Sequence, residues 1–183
     1  MKTRRILLFV AFIIATTFAA SAQSQATPTA DLDSLYAQQL LKPGVEAPDF
    51  ILPMVNGYKV QLSERRGKYV LLDFWASWCP DCRKDIPRVK EMYEKYGSVV
   101  EFIGVSFDVD HDRWAKCVTD NGMRWKQVSE LKKMRDSETA KAFGVKWIPS
   151  MTLIAPDGKV AFSTVVIDRM EQKLNEISGK VKK

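Results

Sequence analysis

Only three of the 183 residues are cysteine and only one is histidine. Three thiols are too few to staple a small disulfide-dense scaffold. The fold must therefore rest on an apolar core. A structural zinc centre takes four nitrogen or sulfur ligands. Beyond one close cysteine pair the chain offers only His111 and Cys117 as strong donors, adjacent to neither member of that pair. Long apolar runs are scarce too. The run Ile6 to Phe18 has 13 residues, short of the ~20 that a membrane helix needs. No internal repeat and no low-complexity tract occurs, which sets aside repeat architectures.

Charge of one sign is also lacking. The chain has 28 basic and 22 acidic residues. Lys2, Arg4 and Arg5 precede the apolar run, and without them the surplus falls from +6 to +3. So small a surplus is no basis for a nucleic-acid partner, and none is expected. The basic start, the apolar run and Ala20-Ser21-Ala22 together read as a secretory signal peptide cleaved after Ala22. The alternative is an uncleaved membrane anchor, which would then be the chain's membrane contact. No cysteine follows the cleavage site, so a lipid anchor is not supported. Residues 1–22 are thus expected to be a signal, residues 23–44 a flexible leader, and residues 45–183 one domain with a sizeable core. The expected destination is the periplasm, or another compartment outside the cytosol, where thiols drift towards disulfides.

The informative feature is Cys79-Pro80-Asp81-Cys82. It follows Tyr69 to Trp75, a continuous apolar stretch broken only by Asp73, which reads as a buried central strand. It precedes Pro80 to about Tyr96, where Ile86, Val89, Met92, Tyr93 and Tyr96 recur at helical spacing. Pro87 lies inside that helix and is expected to kink it. A CxxC motif at a strand-to-helix turn can close and reopen a disulfide. Cys79, at the helix N-terminus, sees the positive end of the dipole, which favours the reactive thiolate. Cys82, one turn further in, is expected to be shielded and to resolve the mixed disulfide. Pro80 fits the first helical turn. Asp81 puts a negative charge beside the thiols, which disfavours the Cys79 thiolate and points away from strong oxidants near ~−120 mV. Asp73, alone in its apolar strand, is expected to be buried with a raised pKa and to accept the Cys82 proton. An exposed edge-strand position is the competing reading. No cofactor and no metal is called for, because sulfur carries the chemistry.

Around this centre, Phe50 to Leu52 and Tyr58 to Leu62 flank Asn56-Gly57, a hairpin signal. A short helix near Leu32 to Leu41 is stopped by Lys42-Pro43-Gly44. Val99 to Phe107 reads as a strand. Asp112 to about Asn121 reads as a helix. Ser137 to Phe143 reads as a helix capped by Ser137 and closed by Gly144. Met151 to Ala155 and Lys159 to Thr164 form a hairpin around Pro156-Asp157-Gly158. A last helix runs from about Arg169 to Ile177. This order implies an α/β fold, a central mixed sheet flanked by helices, with an added N-terminal β-hairpin. Cys117 shares a helical stripe with Trp114 and Val118. It reads as an inert core thiol, with a resolving or regulatory cysteine as the alternative.

The segment Asp73-Phe74-Trp75-Ala76-Ser77-Trp78-Cys79-Pro80-Asp81-Cys82 resembles the active site of the thioredoxin family. So do Pro87, five residues after the second cysteine, and Ile148-Pro149-Ser150 followed by a strand-turn-strand. Gly44 to Phe50, Leu62-Ser63, Gly67-Lys68 and Gly104 to Asp108 narrow the resemblance. They point to the exported TlpA/ResA-type thiol-disulfide oxidoreductases, which border the AhpC/TSA peroxiredoxins. The resemblance implies a thioredoxin fold, a cis Ile148-Pro149 bond against the cysteine pair, and substrate strands pairing with the backbone of Ile148. Trp78, Pro80, Ile148 and Pro149 would then frame a shallow docking surface for protein disulfides. It also implies a membrane thiol donor and a role in cytochrome c assembly. Two other functions compete. A thiol peroxidase of the neighbouring family would need a Thr or Ser three residues before Cys79 and a Pro seven before, where Ala76 and Leu72 stand. A thiol- or metal-binding assembly protein would use the fold without turnover.

Overall fold

The computed structural model describes residues 31–181. The expected signal peptide lies outside the described residues, as does the first part of the expected leader. The part of that leader from Asp31 onward is attached to the domain instead of flexible. Helix α1 spans Leu32–Tyr36. Asp33 accepts hydrogen bonds from the Thr164 hydroxyl and the Val165 backbone N–H, each at 2.8 Å, and from the Arg169 guanidinium at 2.7 Å. Ala37 and Leu40 are buried. The Leu41 N–H donates to the Phe143 carbonyl, and the Gly44 N–H to the Val160 carbonyl. The buried Ala37 and Leu40 side chains and the multiply bonded Asp33 carboxylate all oppose the ordering entropy of this segment.

Strands β1 (Ile51–Pro53) and β2 (Lys59–Gln61) pair antiparallel as the Asn56-Gly57 signal predicts. Gly57 takes φ +83°, a conformation that favours glycine. Asp49 ties the base of this hairpin, accepting from the N–H groups of Phe50 and Ser63, the Ser63 hydroxyl and the Gln61 amide.

The central sheet is built next. β3 (Tyr69–Trp75) leads into α2 (Pro80–Tyr96), and β4 (Val100–Ser106) into α3 (His111–Asp120). β5 (Lys126–Ser129) follows, then α4 (Glu138–Phe143), β6 (Ser150–Ile154), β7 (Val160–Thr164) and α5 (Ile167–Val181). The strand order is β5-β4-β3-β6-β7. β3, β4 and β5 run parallel, while β6 and β7 are antiparallel to their inner neighbours. β3 is central and buried from Val70 to Trp75. Its side chains alternate between faces. Phe74 meets Phe107 and Phe143, with ring centroids 6.2 and 5.6 Å away. Asp73 and Trp75 leave the opposite face. α2 packs beside α5 through Arg88 and Glu171, and through the Tyr96 hydroxyl, which donates to Asn175 at 2.6 Å. Pro87 lies inside α2 without ending it.

Strand β5 was not anticipated. Its sequence Lys-Gln-Val-Ser has one apolar residue, yet Gln127, Val128 and Ser129 are buried. Pairing with β4 on one side and a bridge from Met54 to Val128 on the other decide the strand, not local propensity. α3 begins one residue earlier than its spacing suggests, capped by Asp110, which accepts from the N–H groups of Asp112 and Arg113. α5 begins earlier too, at Ile167.

α4 is fixed at both ends. Ser137 caps it, and Glu130 accepts from the Ser137 hydroxyl and from the N–H groups of Glu138 and Thr139. Burial pushes the Glu130 carboxyl up, but these donors outweigh it and hold it at about 2. Gly144 ends α4 at φ +69°, and a Cβ there would overlap the Gln39 carbonyl. Gly144→Ala combines left-handed strain with that overlap, so it should lower stability by about 2 kcal/mol or more. A urea melt checks this. An unchanged midpoint would mean that residues 37–44 are not packed as described.

Candidate active site

β3 ends at Trp75, and the chain turns through Ala76-Ser77-Trp78 into α2. Asp108, just past the end of β4, holds this turn. Its buried carboxylate accepts from the Ser77 N–H at 2.9 Å, the Ser77 hydroxyl at 2.6 Å and the Ser106 hydroxyl at 2.6 Å. The turn places Cys79 as the N-cap of α2, where its sulfur accepts from the Cys82 N–H at 3.1 Å. Pro80 opens the helix where no N–H partner is required. Cys79 and Cys82 form a disulfide with Cα atoms 5.3 Å apart.

Two expectations about the pair need revision. Cys82 is shielded as expected, but Cys79, placed at the reactive end of the helix, is not the exposed partner either. In the disulfide form they are 5 % and 3 % exposed, because three residues of separation confine both sulfurs to one helical turn. Any difference in role must come from position at the dipole and from neighbours. Asp81 was expected to bias the thiols with its charge. It is exposed and faces Lys84 at 3.1 Å, so much of its field is compensated and screened.

The loop before β6 closes over the pair. The Ile148-Pro149 bond is cis, and the Ile148 carbonyl oxygen lies 3.8 Å from the Cys79 sulfur. Trp78 beside the pair is 58 % exposed and Trp147 beside the loop 40 %. Pro80 is exposed and Pro149 half-buried. Trp78, Pro80, Ile148 and Pro149 therefore do gather around Cys79.

Asp73 lies in register with Met151 on one side and Gly104 on the other. It is 5 % exposed, so the edge-strand reading falls away. Burial, and then the negative charge of Asp85, push its carboxyl up to about 7. Sequence reasoning missed Asp85. It stands three residues after Cys82, hence on the same side of α2. It is half-buried, and its own carboxyl is raised by burial and then by Asp81 and Asp168, against Lys84. A file of carboxyls thus leads from Asp73 towards solvent.

Cys117 is apart from the pair. It is half-buried, burial followed by Asp108 pushes its thiol up, and the Asn121 amide donates to its sulfur at 3.6 Å. With Trp78, Arg83 and Asp108 it lines an open surface cavity of about 440 Å³ beside the turn.

A disulfide at the N-cap of the helix that follows the central strand, a cis-proline loop against it and a buried acid in that strand define a thioredoxin-fold thiol-disulfide oxidoreductase. Residues 43–163 match the AhpC/TSA family, and the chain belongs to it. The thiol-disulfide oxidoreductase ResA of Bacillus anthracis is 30 % identical over 141 residues, covering 76 % of this chain and 77 % of that protein. ResA of Bacillus subtilis is 30 % identical over 124 residues, 67 % of each chain. Among solved structures, a thiol-disulfide oxidoreductase from Bacteroides fragilis superposes with TM-score 0.67 at 32 % identity, over 72 % of this chain and 98 % of that one. The thioredoxin domain of a Bacteroides vulgatus thiol-disulfide oxidoreductase gives TM-score 0.68 at 28 % identity, over 75 % and 98 %.

The Asp73 carboxyl has a stability consequence of definite sign. Below its ordinary value of 3.8 the acid is neutral whether the chain is folded or not. Between there and about 7 the unfolded chain ionises while the folded one holds its proton, so stability falls as pH rises. Asp73→Asn removes this penalty. Relative to wild type the variant should gain stability from pH 4 to pH 8, by up to about 4 kcal/mol. Denaturant melts at the two pH values measure the change, and an equal difference at both would contradict the burial of an ionisable Asp73.

Proposed function

We propose that this protein is an exported reductase of protein disulfides. The observation that carries the reading is the Cys79–Cys82 disulfide at the α2 N-terminus, with Asp73, its carboxyl raised to about 7, buried in the strand that leads to it. In the reduced protein the Cys79 thiolate attacks one sulfur of a substrate disulfide. The substrate S–S bond breaks, one substrate sulfur leaves as thiolate and takes a proton from water, and a mixed disulfide forms on Cys79. Cys82 then gives its proton to Asp73 and attacks the Cys79 sulfur. The second substrate sulfur leaves and is protonated, so the substrate gains two electrons and the protein loses them. Trp78, Pro80, Ile148 and Pro149 frame the surface on which the substrate lies, and the Ile148 backbone offers it a strand-like partner.

Export rests on Lys2 to Ala22, which lies outside the described residues. No helix among the described residues is long and apolar enough to cross a membrane. The resemblance to the TlpA/ResA branch supports a membrane thiol donor that restores the dithiol. It also supports the cysteine pair of an apocytochrome c as a substrate class. The peroxidase reading gains nothing from the site, where Ala76 and Leu72 stand at the positions it needs.

Cys79→Ser should abolish reduction of insulin disulfides. Cys82→Ser should accumulate mixed disulfides with substrate, seen on non-reducing gels. Full turnover by Cys82→Ser would reverse the assigned roles. Equilibration with glutathione should give a potential well below the ~−120 mV of a strong oxidase, and a value near that figure would sink the reductase reading. Asp73→Asn should slow reduction most near pH 7 and progressively less at higher pH, where Cys82 ionises unaided. A deficit that is constant across pH would remove Asp73 from the proton transfer.

A further inference from the structure

β3, β4 and β5 lie side by side, and Asp73, Gly104 and Gln127 stand in one row across them. Side chains of such a row leave the same face of the sheet. Neighbouring strands are about 4.8 Å apart, so Asp73 and Gln127 are two spacings apart. The residue between them would normally fill the gap, but Gly104 has no side chain. Gln127 lies across it. A Cβ on Gly104 would overlap the Gln127 amide, nearest its Oε1, with Cδ 2.8 Å and Nε2 2.9 Å away. The amide reaches the side chains of β3 itself, since the Trp75 indole N–H donates to Gln127 Oε1 at 3.0 Å.

That bond fixes the orientation of the amide. An indole nitrogen only donates, so it claims the oxygen and leaves Nε2, also a donor, for the rest of the row. Nε2 is buried and has no hydrogen-bond partner. Asp73 is two residues before Trp75 on the same face. It is a buried carboxyl whose environment consists of burial and the Asp85 charge, with no donor among the described residues. A buried donor without a partner and a carboxyl that receives no donor among the described residues thus share one row across a glycine.

We propose that Gln127 is a positioning residue for Asp73, donating its Nε2–H across Gly104, directly or through one water, to the Asp73 carboxylate whenever that acid is ionised. The groups facing Asp73 are few. α2 presents Asp85, while Gly104 of β4 and Met151 of β6 bring no charge. The amide opposes both burial and Asp85. It holds the base form of Asp73 before Cys82 releases its proton, and lets go once the acid is neutral. The inference rests on the assignment of Asp73 as proton acceptor, but its test does not.

The test is the titration of the Asp73 side-chain carboxyl carbon by NMR in the reduced full chain, beside a melt and a pH–rate profile. Gln127→Met keeps the volume and removes the donor. It should raise the Asp73 midpoint by about one pH unit, the size expected from losing a hydrogen bond to a charged group. Gln127→Glu keeps an acceptor for Trp75 but sets a second carboxyl in the row. The two acids should then titrate as a coupled pair, with one midpoint well above the ordinary range. If Gln127→Met does not fold, Gln127→Glu decides alone. A purely structural Gln127 would lower the melting temperature and leave the Asp73 midpoint in place, and that result overturns the proposal. A midpoint that moves while the rate profile stays still upholds the proposal and instead removes Asp73 from the chemistry.

Discussion

A buried carboxyl group in the interior of the central strand, raised by burial and by a neighbouring acid, is the constraint around which the rest is arranged. Ionising Asp73 where it sits is unfavourable, and a carboxyl at about 7 expresses that cost. The fold tolerates it because β3 is otherwise apolar and closely packed, with Leu71, Leu72 and Phe74 fully buried. Stability drawn from that core offsets the cost of one buried acid in the strand that leads to the disulfide. Moving Asp73 by one residue along the strand would turn it to the other face, into the cluster of Phe74, Phe107 and Phe143.

Three carboxyls near this end of the molecule show how donor supply decides the work of a buried acid. Glu130 receives three donors at the start of α4 and is held at about 2, so it stays ionised and fixes the helix that leads to the cis-proline loop. Asp108 receives three donors from Ser77 and Ser106 and fixes the turn that presents Cys79. Asp73 is met by no such cluster of donors among the described residues, and burial raises its carboxyl. The same side-chain chemistry gives two clamps and one proton site, and the difference lies in whether N–H and O–H groups converge on the oxygens.

Much of this was legible in the chain itself. The boundaries of β3 and α2, the Asn56-Gly57 hairpin, the Ser137 cap and the Gly144 stop carry their signals within a few residues, as does the burial of Asp73 among large apolar neighbours. What escaped depends on contacts between distant segments. Lys-Gln-Val-Ser has no strand pattern, and β5 exists because β4 and the hairpin bracket it. The leucines of residues 32–41 suggest a short helix in a flexible leader, but nothing local shows that Asp33 finds Thr164, Val165 and Arg169 more than a hundred positions away. Asp85 is three residues from Cys82 and was open to helical-spacing reasoning. Lys84 as the partner that mutes Asp81 was open to it as well.

The least legible strand bears most directly on the base. β5 brings Gln127 into the Asp73 row, and Gly104 in β4 leaves the space for its amide to cross. Neither residue resembles a catalytic motif, since a lone glycine in a strand and a glutamine in a short polar segment both read as filler. In three dimensions they form a single device with the Trp75 indole, which orients the amide. The cysteine pair carries disulfide exchange, and the acid is its proposed proton acceptor. How readily the acid holds its proton is set by groups on neighbouring elements, Asp85 on α2 from one side and the amide row on β5 from the other. The tuning of the site is therefore a property of the sheet and its covering helix, not of the ten-residue segment that carries the reactive groups.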